Sequence, residues 1–339
     1  MNRSAPGSPI GGGTAGVPLT ERILSRLPGP RLAWVLVWAL VPWVNLVAVR
    51  LAEAAEWTGP RTIPVGEVLD RTAVSGAILL SLWGAARITD NLRTVGAALT
   101  EVVEQDEGDV RALFRGMDST IAPLLLTAAA VLVLPLDEAL TGEPRGAAIR
   151  AVTWVIIGIP LWTAVWVYLT LQLGFDRLGR GHLTLQGYRG DRSLGLRPVG
   201  RLAFTGFWVL IGTVGPLVLT NVSEIPGVIL GIAVLLVGVG LFFLSLRRLN
   251  RKMAGVKQRE LNLARDLYMQ AYQKVRDQPT LEALQGQVGL LNAAEALEKR
   301  AERIQEWPFD EATFARVITI ASSAAATIIA RFLLDPIGL

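Results

Sequence analysis

The sequence predicts an all-α polytopic membrane protein with six helical spans, a seventh near the C-terminus and a cytoplasmic antiparallel helical hairpin. Three observations lead there. Of 339 residues, 51% are apolar and 18% charged, whereas soluble domains carry roughly a quarter charged residues. The apolar residues gather into nearly uncharged blocks of helical length, and mean hydropathy is +0.43. No block alternates as an outer-membrane strand would. A soluble globular enzyme, a disordered regulator and a disulfide scaffold are excluded.

A bilayer core of about 30 Å needs about 20 helical residues. Residues 1–18 are rich in Gly, Ser and Pro and carry one arginine, which reads as a disordered tail rather than a cleaved leader. The spans of the bundle, residues 19–246, follow as Leu32–Val49, Thr72–Ala86, Ile121–Leu136, Ala151–Phe175, Leu202–Thr220 and Gly227–Leu246. The second is short, and Val68 and Leu69 can lengthen it. With a cytoplasmic N-terminus the inner segments hold twenty-seven Lys and Arg and the outer loops five, so the positive-inside bias sets that orientation and a cell (inner) membrane location.

Residues 247–306 read as a cytoplasmic helical hairpin. Leu249, Met253, Val256, Leu263, Leu267 and Val275 make one apolar stripe. Gln278-Pro279-Thr280 breaks it, and Leu284, Val288, Leu291, Leu297 and Ile304 make the second. The expectation is that these stripes close on each other or zip onto another chain. In residues 307–339, Trp307-Pro308-Phe309-Asp310 stops one helix, Asp310 caps the next, and Val317–Leu334 forms the seventh span.

Between spans two and three, Glu101, Glu104, Asp106, Glu107 and Asp109 form an acidic cluster without an EF-hand's spacing, so it reads as solvated surface. The segment Gly174–Arg201 holds seven glycines and the arginines 177, 180, 189, 192, 197 and 201. No G-x-x-x-x-G-K-[ST] accompanies them, so Arg177, Arg180, Arg189, Arg192, Arg197 and Arg201 are candidate contacts for anionic lipid. Gly227, Gly231 and Gly238 share one face of the sixth span and are candidate helix-packing positions.

Asp191–Gly200 (DRSLGLRPVG) before a span, with Trp307–Asp310 (WPFD) before an apolar C-terminus, resembles a group of uncharacterised bacterial multi-pass membrane proteins. The resemblance implies a shared membrane topology and no activity, and it covers only those short motifs.

Chemistry is sparse. The chain has no cysteine and one histidine, His182, so thiolate sites and most zinc sites are not expected. No ionisable residue falls mid-span in the first six spans. Asn45 is the most conspicuous amide in the spans, and the threonines 153, 163, 170, 205 and 213 are hydroxyls that can bond back to their own helix. Neither a catalytic constellation nor a cofactor is expected. Net charge is +4, which implies no specific nucleic acid. Pro42, Pro135, Pro160 and Pro216 interrupt spans. The expected function is an oligomeric pore or uncoupled transport protein. The alternative is a membrane-anchored interaction or sensor module acting through the hairpin. Its expected partners are the lipid bilayer and either a homo-oligomer or a cytoplasmic protein.

Overall fold

The computed structural model describes residues 17–54, 65–103, 112–133, 144–181, 183, 185, 192–220, 225–277 and 280–334. Its elements are all helical: α1 (Leu19–Arg26), α2 (Arg31–Ala39), α3 (Val41–Ala54), α4 (Val65–Val103), α5 (Ile121–Val133), α6 (Pro144–Arg180), α7 (Arg197–Leu219), α8 (Ile225–Asp277), α9 (Leu281–Glu302) and α10 (Glu311–Leu334). The core lies among α4, α6, α7 and α8. There Phe175, Phe207, Phe242, Leu171, Leu202 and Leu246 are fully buried. Outward residues such as Leu80, Leu173, Trp208 and Leu236 are exposed along the same helices. Exposed leucine on apolar helices suits a hydrocarbon solvent, in which burial gains nothing over lipid contact.

Five helices are long and apolar enough to cross a membrane: α4, α6, α7, α8 and α10. α2 and α3 make a sixth if the pair, bent by 43°, is one span. The bend falls at Leu40, and Pro42 stands in the first turn of α3, where its missing N–H has no helical partner to lose. The expected third span is where the helices fall short of the sequence expectation. α5 has 13 residues and a length of about 20 Å, against about 30 Å of hydrocarbon. Residues 134–136 lie outside those described. In the opposite sense, α4, 39 residues long, runs on past its apolar block to Val103. Val95 and Leu99 on that extension are buried against Phe114, Leu178 and Val199. α10 is peripheral, with 11% of its apolar window buried.

Proline inside α6 has a visible consequence. Pro160 has no N–H to offer the carbonyl of Ile156 one turn earlier. The indole N–H of Trp38 in α2 donates to that carbonyl at 2.7 Å. One helix thus fills a vacancy that a proline opens in another. Trp38→Phe should therefore destabilise the wild type by about 1 kcal/mol more than it destabilises Pro160→Ala, where a backbone N–H is restored. A double-mutant cycle on detergent unfolding measures this coupling; additive effects would show that the indole bond is idle. Across the same face, Thr153 Oγ1 donates to Asn45 Oδ1 at 3.0 Å. The most conspicuous amide of the first span therefore serves helix pairing.

α8 continues for 53 residues, about 80 Å at the helical rise, so half of it projects beyond any bilayer. α9 packs against that projecting half. Their contact differs from the one the leucine stripes suggest. The buried residues are Ala264 and Ala271 on α8 and Ala294 and Ala301 on α9. Leu263 and Leu284 are 51% and 47% exposed. Alanines seven residues apart let the two backbones approach closely, so Leu263 and Leu284 stand beside the seam while Leu267, Leu291 and Leu297 are half-buried at its edge.

Candidate functional site

The helix ends that carry the arginines converge at one end of the bundle. Gly174 and Gly179 lie inside α6 instead of a loop, and the Gly-rich stretch is largely a set of packing positions. A Cβ on Gly174 would strike the Phe114 ring, and one on Gly179 would meet Arg248 Cβ at 2.7 Å. A Cβ on Gly200, in the first turn of α7, would run into the backbone carbonyl oxygen of Pro308. The DRSLGLRPVG and WPFD segments, over a hundred residues apart, are therefore packed together. Gln305 N–H donates to the Arg192 carbonyl at 2.9 Å, and Asn250 Nδ2 donates to the Glu306 carbonyl at 2.9 Å. Phe309 lies between Phe242 and Trp307, with ring centroids 5.7 and 5.5 Å away. Within the first motif Leu194 adopts φ 55°. That left-handed conformation costs about 1–2 kcal/mol for a residue with a Cβ. The side chain is 6% exposed, and its burial offsets the strain. Asp310 Oδ1 caps α10 by accepting the Thr313 N–H at 2.8 Å. The Thr313 hydroxyl first, then this N–H bond, with Arg316 and Arg197 nearby, hold its carboxyl below the usual range.

The six candidate arginines do not form one site. Arg177 and Arg180 sit in the last turn of α6, where cations favour the helix dipole. With Arg115 they line a cleft of about 620 Å³. Arg177 Nη1 donates to the Leu113 carbonyl at 3.1 Å. Arg180 also lines a second cleft, of about 490 Å³, with Lys252 and Arg259. Arg192 belongs to a third, of about 680 Å³, with Lys257, Glu306, Trp307 and Asp310. Arg197 and Arg201 occupy the start of α7, and Arg189 lies outside the described residues, as do His182 and most of the acidic cluster. Among the described residues no three His, Cys, Asp or Glu side chains come together as a metal site.

A polar column links α6 and α8. Tyr168 O–H donates to the Gly238 carbonyl at 2.8 Å. One turn on, Ser245 Oγ donates to Gln172 Oε1 at 2.5 Å. A further turn on, Asp176 pairs with Arg248 at 2.9 Å and with Arg180 at 2.6 Å. Lys252 Nζ then donates to the Gly181 carbonyl. Gln172 is 4% exposed and its Nε2 has no partner. Sequence reasoning passes over Gln172, since it sits at the C-terminal margin of an apolar block. The i, i+4, i+8 spacing of Tyr168, Gln172 and Asp176 is the signal that could have found it.

At span depth α5, α6, α7 and α8 enclose a cavity of about 430 Å³, lined by Trp154, Trp162, Leu169, Tyr168, Val214 and Val237 among others. Thr213 on its wall pairs with Ser81 at 3.0 Å. Gly231 and Gly238 both face α7: a Cβ on Gly231 would strike Val218, and one on Gly238 would meet Leu210 Cδ2 at 2.7 Å. These contacts lie within one chain. Gly227 falls in the first turn of α8.

The fold defines a helical protein with several spans suited to a membrane. Comparison with protein-family models, with curated proteins and with solved structures gives no match.

Proposed function

We propose that the protein is a membrane-anchored interaction module of the cell (inner) membrane, with its N-terminus and its α8–α9 hairpin in the cytoplasm. The observation that carries this reading is the apolar flank of the hairpin. Tyr268, Tyr272, Leu281, Leu284 and Val288 are each between 42% and 73% exposed, and the two tyrosine rings stack at 6.4 Å. Taking the seam alanines as one heptad position, Tyr268, Val275, Leu284 and Leu291 all fall four residues beyond that position. Tyr272, Leu281 and Val288 fall one residue beyond it. One side of both helices is therefore apolar, over an area unsuited to water.

The occupant we assign to this flank is a second copy of the chain. Ala264 and Ala294 are equidistant from Pro279, so Arg265 and Glu295, the next residue on each helix, stand within about 3 Å of one height. Across a two-fold axis along the hairpin, Arg265 of one chain faces Glu295 of the other. Detergent-solubilised wild type should have the protein mass of two chains by light scattering, and Tyr272→Glu with Leu284→Glu that of one. Equal masses for the two would remove the self-association reading, and a cytoplasmic protein bound only by the wild type would replace it. Orientation has its own readout. A cysteine introduced at Gly142 should react with an impermeant thiol reagent in intact cells, and one at Gly187 only after lysis; the reverse labelling would invert the topology.

The polar column through Gln172 supports a second reading, a pore or uncoupled transport path between copies. Ion flux in liposomes that falls on Gln172→Leu would support it, and absence of flux would remove it.

A further inference from the structure

We infer that α6 carries a binding site for one anionic phospholipid, with an acyl chain in the aromatic-lined cavity and the phosphate at Arg115, Arg177 and Arg180. The inference is independent of the hairpin reading.

The cavity selects hydrocarbon. Its Tyr168 hydroxyl is committed to the Gly238 carbonyl and its Thr213 hydroxyl is paired with Ser81, so its walls present little besides apolar atoms. Its volume of about 430 Å³ lies in the usual range for ligand pockets. Gly158 and Gly238 in its lining add no side chain, and Val237 is 60% exposed. Every lining residue lies on an apolar helix, at the depth where acyl chains are the surrounding solvent.

A path connects the cavity to the charge. Trp162, Leu169, Leu173 and Arg180 recur on one stripe of α6, since eighteen residues make five helical turns. Leu173 is 53% exposed between the cavity and the arginines. Val165 in the cavity and Arg177 are twelve residues apart, about 18 Å along the helix, close to the roughly 15 Å thickness of one leaflet's hydrocarbon. A chain seated beside Val165 therefore puts its phosphate level with Arg177 and Arg180.

Among the described residues the cleft is cationic on balance. Asp176 is the carboxylate beside it, and that group is shared between Arg180 and Arg248. Arg177 gives Nη1 to the Leu113 carbonyl and keeps its other guanidinium donors, with those of Arg115, for an incoming anion. Guanidinium groups hold phosphate oxygens bidentately, which favours an anionic headgroup over a zwitterionic one.

Tryptophan quenching by brominated chains tests this. Full-length protein is reconstituted in vesicles of zwitterionic lipid containing a minor fraction of dibrominated phosphatidylglycerol or dibrominated phosphatidylcholine. The signal of Trp162 is the difference between wild type and Trp162→Phe. The anionic brominated lipid should quench Trp162 at least twofold more than the zwitterionic one at the same fraction. Arg177→Gln with Arg180→Gln should equalise them. Val165→Trp, which fills the cavity, should lower quenching of Trp162 by the anionic lipid while leaving the arginines in place. Equal quenching by both lipids in the wild type, or a preference that survives loss of both arginines, overturns the inference. A preference abolished by millimolar inorganic phosphate, with quenching of Trp162 unaffected by Val165→Trp, would show an anion site without a seated chain and overturn it also. Association through the hairpin is read by particle mass, so failure of one proposal is distinguishable from failure of the other.

Discussion

Replacing Gly200 with alanine should destabilise the protein by about 3 kcal/mol, the upper part of the range for over-packing. The added methyl would collide with the carbonyl oxygen of Pro308, which is backbone and cannot swing aside as a side chain can. Relief requires separating the start of α7 from the turn that leads into α10. That movement would stretch the Gln305–Arg192 bond and unstack Phe309 from Trp307 and Phe242. Two other glycines calibrate the effect. Gly206→Ala meets the Leu171 Cδ2 methyl at 2.6 Å, a flexible chain end, and should cost about 1 kcal/mol. Gly289→Ala meets nothing within 4 Å and should stabilise α9 by about 0.5–1 kcal/mol, because glycine is a poor helix former. Thermal unfolding of the three variants in one detergent gives the order. Gly200→Ala as stable as Gly289→Ala would mean that the two motifs do not touch.

The junction at Gly200 also marks what a sequence can and cannot disclose. Apolar blocks of span length are one-dimensional signals, and each of the blocks at α6, α7 and α8 lies within a helix, to within a residue at its end. Block edges are weaker guides. α4 continues well past its apolar stretch because Val95 and Leu99 keep finding buried partners. α1 has no hydropathy signal, being a short amphipathic helix whose Leu19 and Leu24 are buried. Expectation also erred on the glycines. The sequence reads Gly174–Arg201 as a loop between spans, yet Gly174 and Gly179 lie inside α6, and with Gly200 they are spaced for contacts with Phe114, Arg248 and Pro308, none of which is near in sequence. The arginines 177, 180 and 192 were legible as a charge bias, while their division among three clefts depends on which helix end faces which. Pro160 was legible as an interruption, but Trp38 as its remedy was not.

Alanine is the residue most easily overlooked in the hairpin, and substituting it should have the larger consequence there. Ala264 is 2% exposed and faces the α9 seam, where Ala294 is likewise 2% exposed. Ala264→Leu inserts three carbons between backbones whose closeness depends on the small side chain. Over-packing of this kind should cost about 2–3 kcal/mol. The hairpin has little other core, since its leucines lie largely beside the seam, so it cannot absorb such a loss. α9 should then detach and become a trypsin substrate at Lys299, Arg300 and Arg303, while the spans remain inserted. Leu284→Glu removes a bulkier apolar residue but acts on the exposed flank, and tryptic resistance should be unchanged. The leucine stripes alone predict the opposite order, with Leu284 critical and Ala264 tolerant. Limited proteolysis of the two variants in membranes decides between them. If Ala264→Leu resists trypsin as long as the wild type does, α8 and α9 do not close on alanine.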